Sequence, residues 1–359
     1  MTGVEIRAGD VVYRACIGSG LTTEAGARIA QMVKGRRCAL ITDEAVAPLW
    51  AGKVKEGLTN AGIETLLVTV PSGEKAKSLE QAGTICDKMI AHHLDRSAFV
   101  VGLGGGVIGD VSGFVAAIYQ RGIPHVQIPT TLLAMADSSI GGKTGVNTSA
   151  GKNLLGAVHH PILVLDDLDT LKTLPERERN QGFSEIIKHA ITSSASMFAE
   201  LARAGSPGGL TNLEELIRRN IEIKAALVAL DEHDRTGQRA LLNFGHTVGH
   251  GIERAGGYRQ FLHGEAVSLG MVAAAGISRK RAGLSAQDED AIVDLLNAFG
   301  LPTKLPVDFP RDQILEALQF DKKFEEGKIR FVVTPKIGQA YLASDVTISD
   351  INEAIDSLG

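Results

Sequence analysis

The amino-acid sequence predicts an α/β domain over residues 1–175 followed by a mainly α-helical domain over residues 176–359. Three observations carry that reading. Short β-branched runs alternate with helical stretches through the first half, one of those runs passes straight into a glycine-rich turn, and beyond Pro175 the texture changes to long amphipathic helices. A chain of 359 residues also exceeds one comfortable core, which argues for about two domains.

Taken in order, the first strand is Arg37 to Asp43 and the second Thr65 to Val70. A third, Ala98 to Leu103, is almost wholly apolar, as a strand covered on both faces should be. His125 to Pro129 and Ile162 to Leu165 extend the series, and helical crossovers between such runs make a parallel sheet the economical solution. Past residue 175, helices are expected over Ser184 to Ala204, Asn212 to Leu230, Thr247 to Ala255, Glu265 to Ala282 and Asp288 to Ala298. A strand at Arg330 to Thr334 and a last helix near Asp350 to Ser357 complete the series.

Composition narrows the function. Hydrophobic residues make up 44% and charged residues 22%, which suits a globular protein with large cores. A net charge of −5 argues against a general nucleic-acid or anionic-membrane partner. No apolar run reaches the roughly 20 residues of a membrane span, and the first ten residues carry no signal-peptide core. Cys16, Cys38 and Cys86 are odd in number and widely spaced, a pattern of buried thiols in a reducing cytoplasm.

Glycine motifs point to phosphate. The strand ending at Leu103 runs into Gly104-Gly105-Gly106-Val107-Ile108-Gly109-Asp110, where small residues let a backbone approach a pyrophosphate and a following helix aims its amides at it. A plain strand-to-helix turn also explains the glycines, and no acidic residue stands about 20 positions later to hold a ribose. Asp43 and the stretch Pro71 to Lys77 put carboxylates at strand ends, on the edge where α/β sheets bind ligands. Gly141-Gly142-Lys143-Thr144 is not a P-loop, because the required first glycine is Asp137. Its amides, with Lys143 and then Lys152-Asn153, still suit an anion.

Histidines point to a metal. Four of the ten lie between His233 and His263; His246 and His250 stand four apart, and His263-Gly264-Glu265 follows 17 residues after His246. A catalytic zinc usually takes three protein ligands, and Glu185 is the best third candidate: Ser184 would cap its helix, with Lys188 three residues on along the same face. Arg239, Asn243, His246 and His250 share a face if one helix carries them all, while Gly245 allows either a cap or a kink. Lys224 and the later Asp321-Lys322-Lys323 add polar groups to the inventory.

Together the glycine run, Pro129-Thr130-Thr131-Leu132-Leu133, Asp137 to Gly145, Lys152-Asn153, Glu185-x-x-Lys188, Leu242 to Thr247 and His263-Gly264-Glu265 closely resemble the 3-dehydroquinate synthase family over roughly residues 10 to 345. The resemblance implies a Rossmann-like N-terminal NAD-binding domain, a helical metal-binding domain holding zinc or cobalt, and an active site in the cleft between them. It also implies a cytoplasmic homodimer at the second step of the shikimate pathway. The substrate would be a seven-carbon heptulosonate phosphate, converted to 3-dehydroquinate with loss of phosphate.

By position, the resemblance implies Glu185, His246 and His263 as metal ligands, which moves His250 to the substrate side. Lys143, Asn153, Arg239, Asn243 and His250 match positions that grip substrate phosphate or hydroxyls, and Asp137, Lys152, Lys188, Lys224 and one lysine of Lys322-Lys323, with Lys323 preferred, match other polar site positions. Arg121 resembles an arginine that reaches the neighbouring subunit's site. For NAD the matching positions are Asp43, Glu74, Lys77, Gly105, Gly106, Asp110, Thr130, Thr131 and Thr173, with Lys143 and Lys152 beside them.

The sequence departs from that pattern at His189-Ala190, at Val248 and in Asp231 to Arg239, a stretch one residue longer than the family's usual one; Asp234 is therefore kept out of the expected site. A cyclase acting on another sugar phosphate and a metal-dependent NAD alcohol dehydrogenase are the rival readings. The dehydrogenase has no need of so many phosphate-directed lysines and arginines.

Overall fold

The computed structural model describes every residue except 1, 150, 233–235, 320–323 and 326–327. The chain forms two compact units: Met1–Pro175 with Glu214–His233, and Glu176–Leu213 with Asp234–Gly359.

The first unit runs β1 (Thr2–Ala8), β2 (Val11–Gly18), α1 (Leu21–Met32), β3 (Arg37–Asp43), α2 (Gly52–Asn60), β4 (Glu64–Val70), α3 (Leu79–Ala91), β5 (Phe99–Gly104), α4 (Gly106–Ile118), β6 (His125–Pro129), β7 (Lys143–Thr148), β8 (Gly151–Val158) and β9 (Leu163–Asp167). Seven strands form one sheet in the order β1-β2-β9-β6-β5-β3-β4, parallel except for the β1–β2 hairpin. Alternate residues of the central strands serve two cores. Leu40, Val101 and Ile128 pack with Leu21, Val54 and Leu58 of α1 and α2, while Ile41 and Val100 pack with Ile85 of α3 and Val111 and Val115 of α4.

Helix starts in this unit are fixed by side chains from near and far. Ser78 caps α3, accepting from the Gln81 amide at 3.1 Å, a contact that stabilises a helix by about 1 kcal/mol. The buried Asp167 of β9 caps α1 from 145 residues away, taking the Gly20 and Thr22 amides at 3.0 and 2.7 Å. Helix α4 lies close on β6 and β7 because it presents glycines to them: a Cβ at Gly109 would stand 2.8 Å from Gln127 Oε1 of β6, and one at Gly113 2.4 Å from Thr144 Cγ2 of β7.

The second unit contains α5 (Glu176–Ser193) and α6 (Ala195–Ala204), whereas α7 (Leu213–Leu230) groups with the first unit. After it come α8 (His246–Ala255), α9 (His263–Arg281), α10 (Ala286–Ala298), α11 (Arg311–Gln319), the sheet β10 (Phe324–Glu325), β11 (Lys328–Lys336) and β12 (Gln339–Val346), and α12 (Ile348–Asp356). No helix among the described residues is long and apolar enough to cross a membrane.

Three expectations change. The α/β domain expected to end at 175 regains residues 214–233, because α7 packs on it. The single helix expected from Ser184 to Ala204 is two, broken at Ser194, whose extended backbone and side chain cap α6 by accepting from the Met197 amide at 3.3 Å. The β1–β2 hairpin, which precedes the strand expected to be first, the β7–β8 hairpin and the strands β10 and β12 have no counterpart among the expected strands; β8 is largely exposed and lacks a clean apolar alternation.

Candidate functional site

Six parallel strands of the first unit end along one edge, and the residues expected to hold a dinucleotide lie at or after five of those ends. Asp43 closes β3, Glu74 and Lys77 follow β4, Gly105 and Gly106 follow β5, Thr130 and Thr131 follow β6, and Thr173 follows β9. Strands β3 and β5 are neighbours, yet their chains leave for helices on opposite faces of the sheet. That divergence opens a crevice of the kind in which α/β sheets bind nucleotides.

Local bonds show which groups are committed. Asp43 Oδ1 accepts from the amides of Ala45 and Val46 at 2.8 and 3.0 Å and from Ser72 Oγ at 3.2 Å, so only Oδ2 lies outside these bonds. Lys77, buried, is ion-paired with Asp110 in the second turn of α4. Glu74 accepts from Asn147 Nδ2 at 2.7 Å and lies 3.2 Å from Lys152 Nζ, while the Asn153 amide, in a left-handed conformation, donates to Asn147 Oδ1 at 3.1 Å. Glu74 and Asn153 are thus joined through Asn147, a residue outside the expected site, and Lys152 joins them through Glu74. Thr173 is otherwise engaged: its hydroxyl accepts from Trp50 Nε1 and donates to the Thr170 carbonyl, each at 3.0 Å.

Helix α7 delivers Lys224 to this unit. Its ammonium donates to both the carbonyl and the carboxylate of Asp137 at 2.6 Å, and Asn220, one turn earlier, donates to the Ala136 carbonyl at 2.6 Å. Asp137 sits in a π-helical turn, Ala134–Ser138, a wide turn frequent at functional sites. Lys143 is exposed at the start of β7. Arg121 is not with these groups: the 13 residues of α4 carry it about 20 Å from the glycine end, into a turn where Gln120, Arg121 and Gly122 all have positive φ.

In the second unit Glu185, His246 and His263 converge. Ser184 is not a helix cap, since α5 begins at Glu176 and the Ser184 hydroxyl donates to the Gln181 carbonyl at 2.7 Å. Glu185 is consequently mid-helix and fully buried, ion-paired through Oε2 with Lys188 one turn on. Gly245, at φ 79°, ends a 3-10 turn that holds Arg239 and Asn243 and starts α8 at His246, so no continuous helix carries all four polar residues. Close packing of α8 on α9, where a Cβ at Gly270 would stand 1.9 Å from the Gly245 carbonyl, sets the His246 and His263 rings 5.5 Å apart.

The donor set fits a zinc-like ion. Glu185 Oε1 is buried without a hydrogen-bond partner, 3.6 Å from His246 Nε2 and 3.8 Å from His263 Nε2. Bonds of about 2.0–2.2 Å in a tetrahedral shell would separate such donors by roughly 3.3–3.5 Å, a small contraction from the observed spacing. Tautomers agree: His246 Nδ1 faces the Phe244 carbonyl at 3.3 Å and His263 Nδ1 faces Glu253 Oε2 at 3.1 Å. Both partners only accept, so each Nδ1 carries the proton and each Nε2 offers its lone pair. His250 is exposed, its ring 5.3 Å from that of His246 and perpendicular to it. Its ring also lies 6.1 Å from that of His263, so the three imidazoles cluster, with His250 the exposed member. Lys323 and Asp234 lie outside the described residues.

A crevice of the dinucleotide-binding kind in an α/β unit and a Glu-His-His set able to hold a divalent ion in a helical unit define a nucleotide- and metal-dependent class of enzyme. Models of the 3-dehydroquinate synthase N-terminal and C-terminal regions match residues 67–181 and 182–324. A 3-dehydroquinate synthase of Desulforamulus reducens is 43% identical over 354 residues, covering 98% of each chain. Among solved structures, 2-deoxy-scyllo-inosose synthase complexed with carbaglucose-6-phosphate, NAD+ and Co2+ is similar with a TM-score of 0.90 at 25% identity, covering all of both chains. The 2-epi-5-epi-valiolone synthase of Streptomyces hygroscopicus, with NAD+ and Zn2+ bound, gives 0.87 at 30% identity and 98% of both chains. The chain belongs to the 3-dehydroquinate synthase family.

Proposed function

We propose that this chain converts 3-deoxy-D-arabino-heptulosonate 7-phosphate into 3-dehydroquinate and phosphate, as the second step of the shikimate pathway. The observation that carries the reading is the converging Glu185–His246–His263 set, its first two members buried, in a chain that matches the family along both halves. When bound, NAD and a divalent zinc or cobalt ion supply reversible oxidation of one substrate carbon and polarisation of its hydroxyl.

The chain's own groups do the rest. Asp43 offers Oδ2 to a ribose, and the first amides of α4 receive a pyrophosphate where Gly105 and Gly106 leave room. Lys77 and Asp110, Glu74 and Thr130 and Thr131 complete the cofactor's surroundings, and Thr173 contributes through the wall it builds with Trp50. Lys143, Lys152, Asn153, Arg239, Asn243, Lys224 and His250 bind and orient the phosphate and hydroxyls, with Asp137 fixing the Lys224 ammonium. Lys188 holds Glu185 in the rotamer that presents Oε1. Substrate phosphate takes up the proton during its own elimination, so these residues need only hold it in reach.

The reading includes a cytoplasmic homodimer in which Arg121 serves the second copy; its distance from the glycine end of its own α4 supports action in trans, and three free cysteines suit a reducing compartment. The test is an assay with the heptulosonate phosphate, sub-stoichiometric NAD and zinc. Phosphate release without net NADH, abolished by chelation, is expected. Sustained NADH formation would instead establish a dehydrogenase.

A further inference from the structure

Of the groups that face the metal triad, Glu253 has no role in the reading above. It lies on α8 seven residues after His246 and three after His250, 5% exposed, a depth at which a carboxylate must be partnered. Its Oε2 accepts from His263 Nδ1 at 3.1 Å, on the side of the imidazole opposite the Nε2 that faces Glu185.

Two roles fit a carboxylate in that place. His250, Glu253 and His263 form a second group whose donor atoms lie within 4.8 Å of one another, so Glu253 is either a ligand of a second ion or a partner of the first ion's ligand. The atoms decide between them. A second ion would need His263 Nδ1 as a lone-pair donor, yet Nδ1 already sits at hydrogen-bonding distance from an oxygen that only accepts. A neutral imidazole binds an ion through one nitrogen and donates from the other.

We infer that Glu253 is a positioning residue that fixes the tautomer and ring orientation of His263 and raises the affinity of the Glu185–His246–His263 site for its divalent ion. The inference rests on the metal triad of the proposed function. Phe244 performs the same office for His246 with a neutral carbonyl, so the two imidazoles receive unequal support and His263 receives the charged one. An ionised acceptor makes the imidazole a stronger donor to the metal, and it removes the ring flip that would turn Nδ1 inward.

The experiment measures zinc binding to the full chain by competition with a chromophoric chelator, for wild type, Glu253→Gln and Glu253→Ala. Wild type binds one zinc per chain. Glu253→Ala binds it roughly 10–100-fold more weakly, and Glu253→Gln, which keeps an accepting oxygen without the charge, recovers part of that loss. Two controls separate positioning from packing: the chelated Glu253→Gln protein melts with chelated wild type, and its cobalt-loaded form shows a shifted visible absorption band. Equal zinc affinity in wild type and Glu253→Ala overturns the proposal, as does a stoichiometry of two falling to one, which makes Glu253 a ligand. Failure of wild type to bind zinc overturns the triad reading itself, and this proposal with it.

Discussion

Replacing Lys188 by methionine tests the metal triad through stability rather than turnover. Lys188 is 1% exposed and Glu185 fully buried, and the two are ion-paired across one turn of α5. Removing one member of a buried pair costs about 3–5 kcal/mol, because the remaining charge keeps its desolvation penalty and loses its compensation. Here the other carboxylate oxygen has no hydrogen-bond donor to fall back on. For a unit of this size each kcal/mol moves the melting temperature by roughly 2–4 °C, so the chelated variant should melt about 6–20 °C below chelated wild type. A divalent ion on Oε1 would replace the lost positive charge, so zinc should narrow that gap substantially. Scanning calorimetry of chelated and zinc-loaded samples reads both effects. The reasoning fails if the chelated variant melts within about 2 °C of wild type, or if zinc leaves the gap unchanged.

Further outcomes follow from other parts of the chain. His263→Ala should abolish zinc binding while His250→Ala retains it, measured by metal analysis after dialysis; zinc loss in the second variant would make His250 a ligand. His125 is fully buried with Nδ1 unpartnered, and burial, then His159 and His160, push it down to about 3. The unfolded chain therefore takes a proton near pH 6.5 that the folded one refuses, and stability falls as pH falls through that window. At pH 4.5 the loss from this one group is about 2–3 kcal/mol. Urea midpoints at pH 7 and 4.5 should differ less in His125→Gln than in wild type, and equal pH dependence would contradict the assignment. Gly113→Ala should destabilise by about 1–3 kcal/mol, because its Cβ would meet Thr144 at 2.4 Å, whereas Gly83→Ala, with open space inside α3, should stabilise by about 0.5–1 kcal/mol; thermal melts giving the same sign for both would refute the packing argument.

Sequence periodicity located the central strands because each is apolar on both faces, and β3 and β6 occupy the expected residues. It could not see tertiary decisions. The expected cap at Ser184 overlooked eight earlier residues of α5 with a low apolar content, and the break at Ser194 depends on a serine that is equally at home inside a helix. The choice between a shared helical face and a kink at Gly245 was settled by the backbone of α9, whose Met271 amide would lie 2.8 Å from a Cβ there. Asn147 and Glu253 are hard to read from sequence for a related reason: each acts on another polar side chain, and only Glu253 leaves a trace, the spacing His246, His250, Glu253 along one helix face.

The return of α7 to the first unit has a consequence for biosynthesis. A nascent chain that has reached Pro175 has all seven strands of its main sheet but not the helix that carries Asn220 and Lys224 against the Ala134–Ser138 turn. At ~5–20 residues per second, several seconds pass before His233 is made, and in that interval α5 and α6 of the other unit emerge first. The two units therefore cannot mature as beads on a string: the first to begin is still waiting for its last helix when the second has started, and a chain cut at residue 175 would leave a sheet with part of its cover missing.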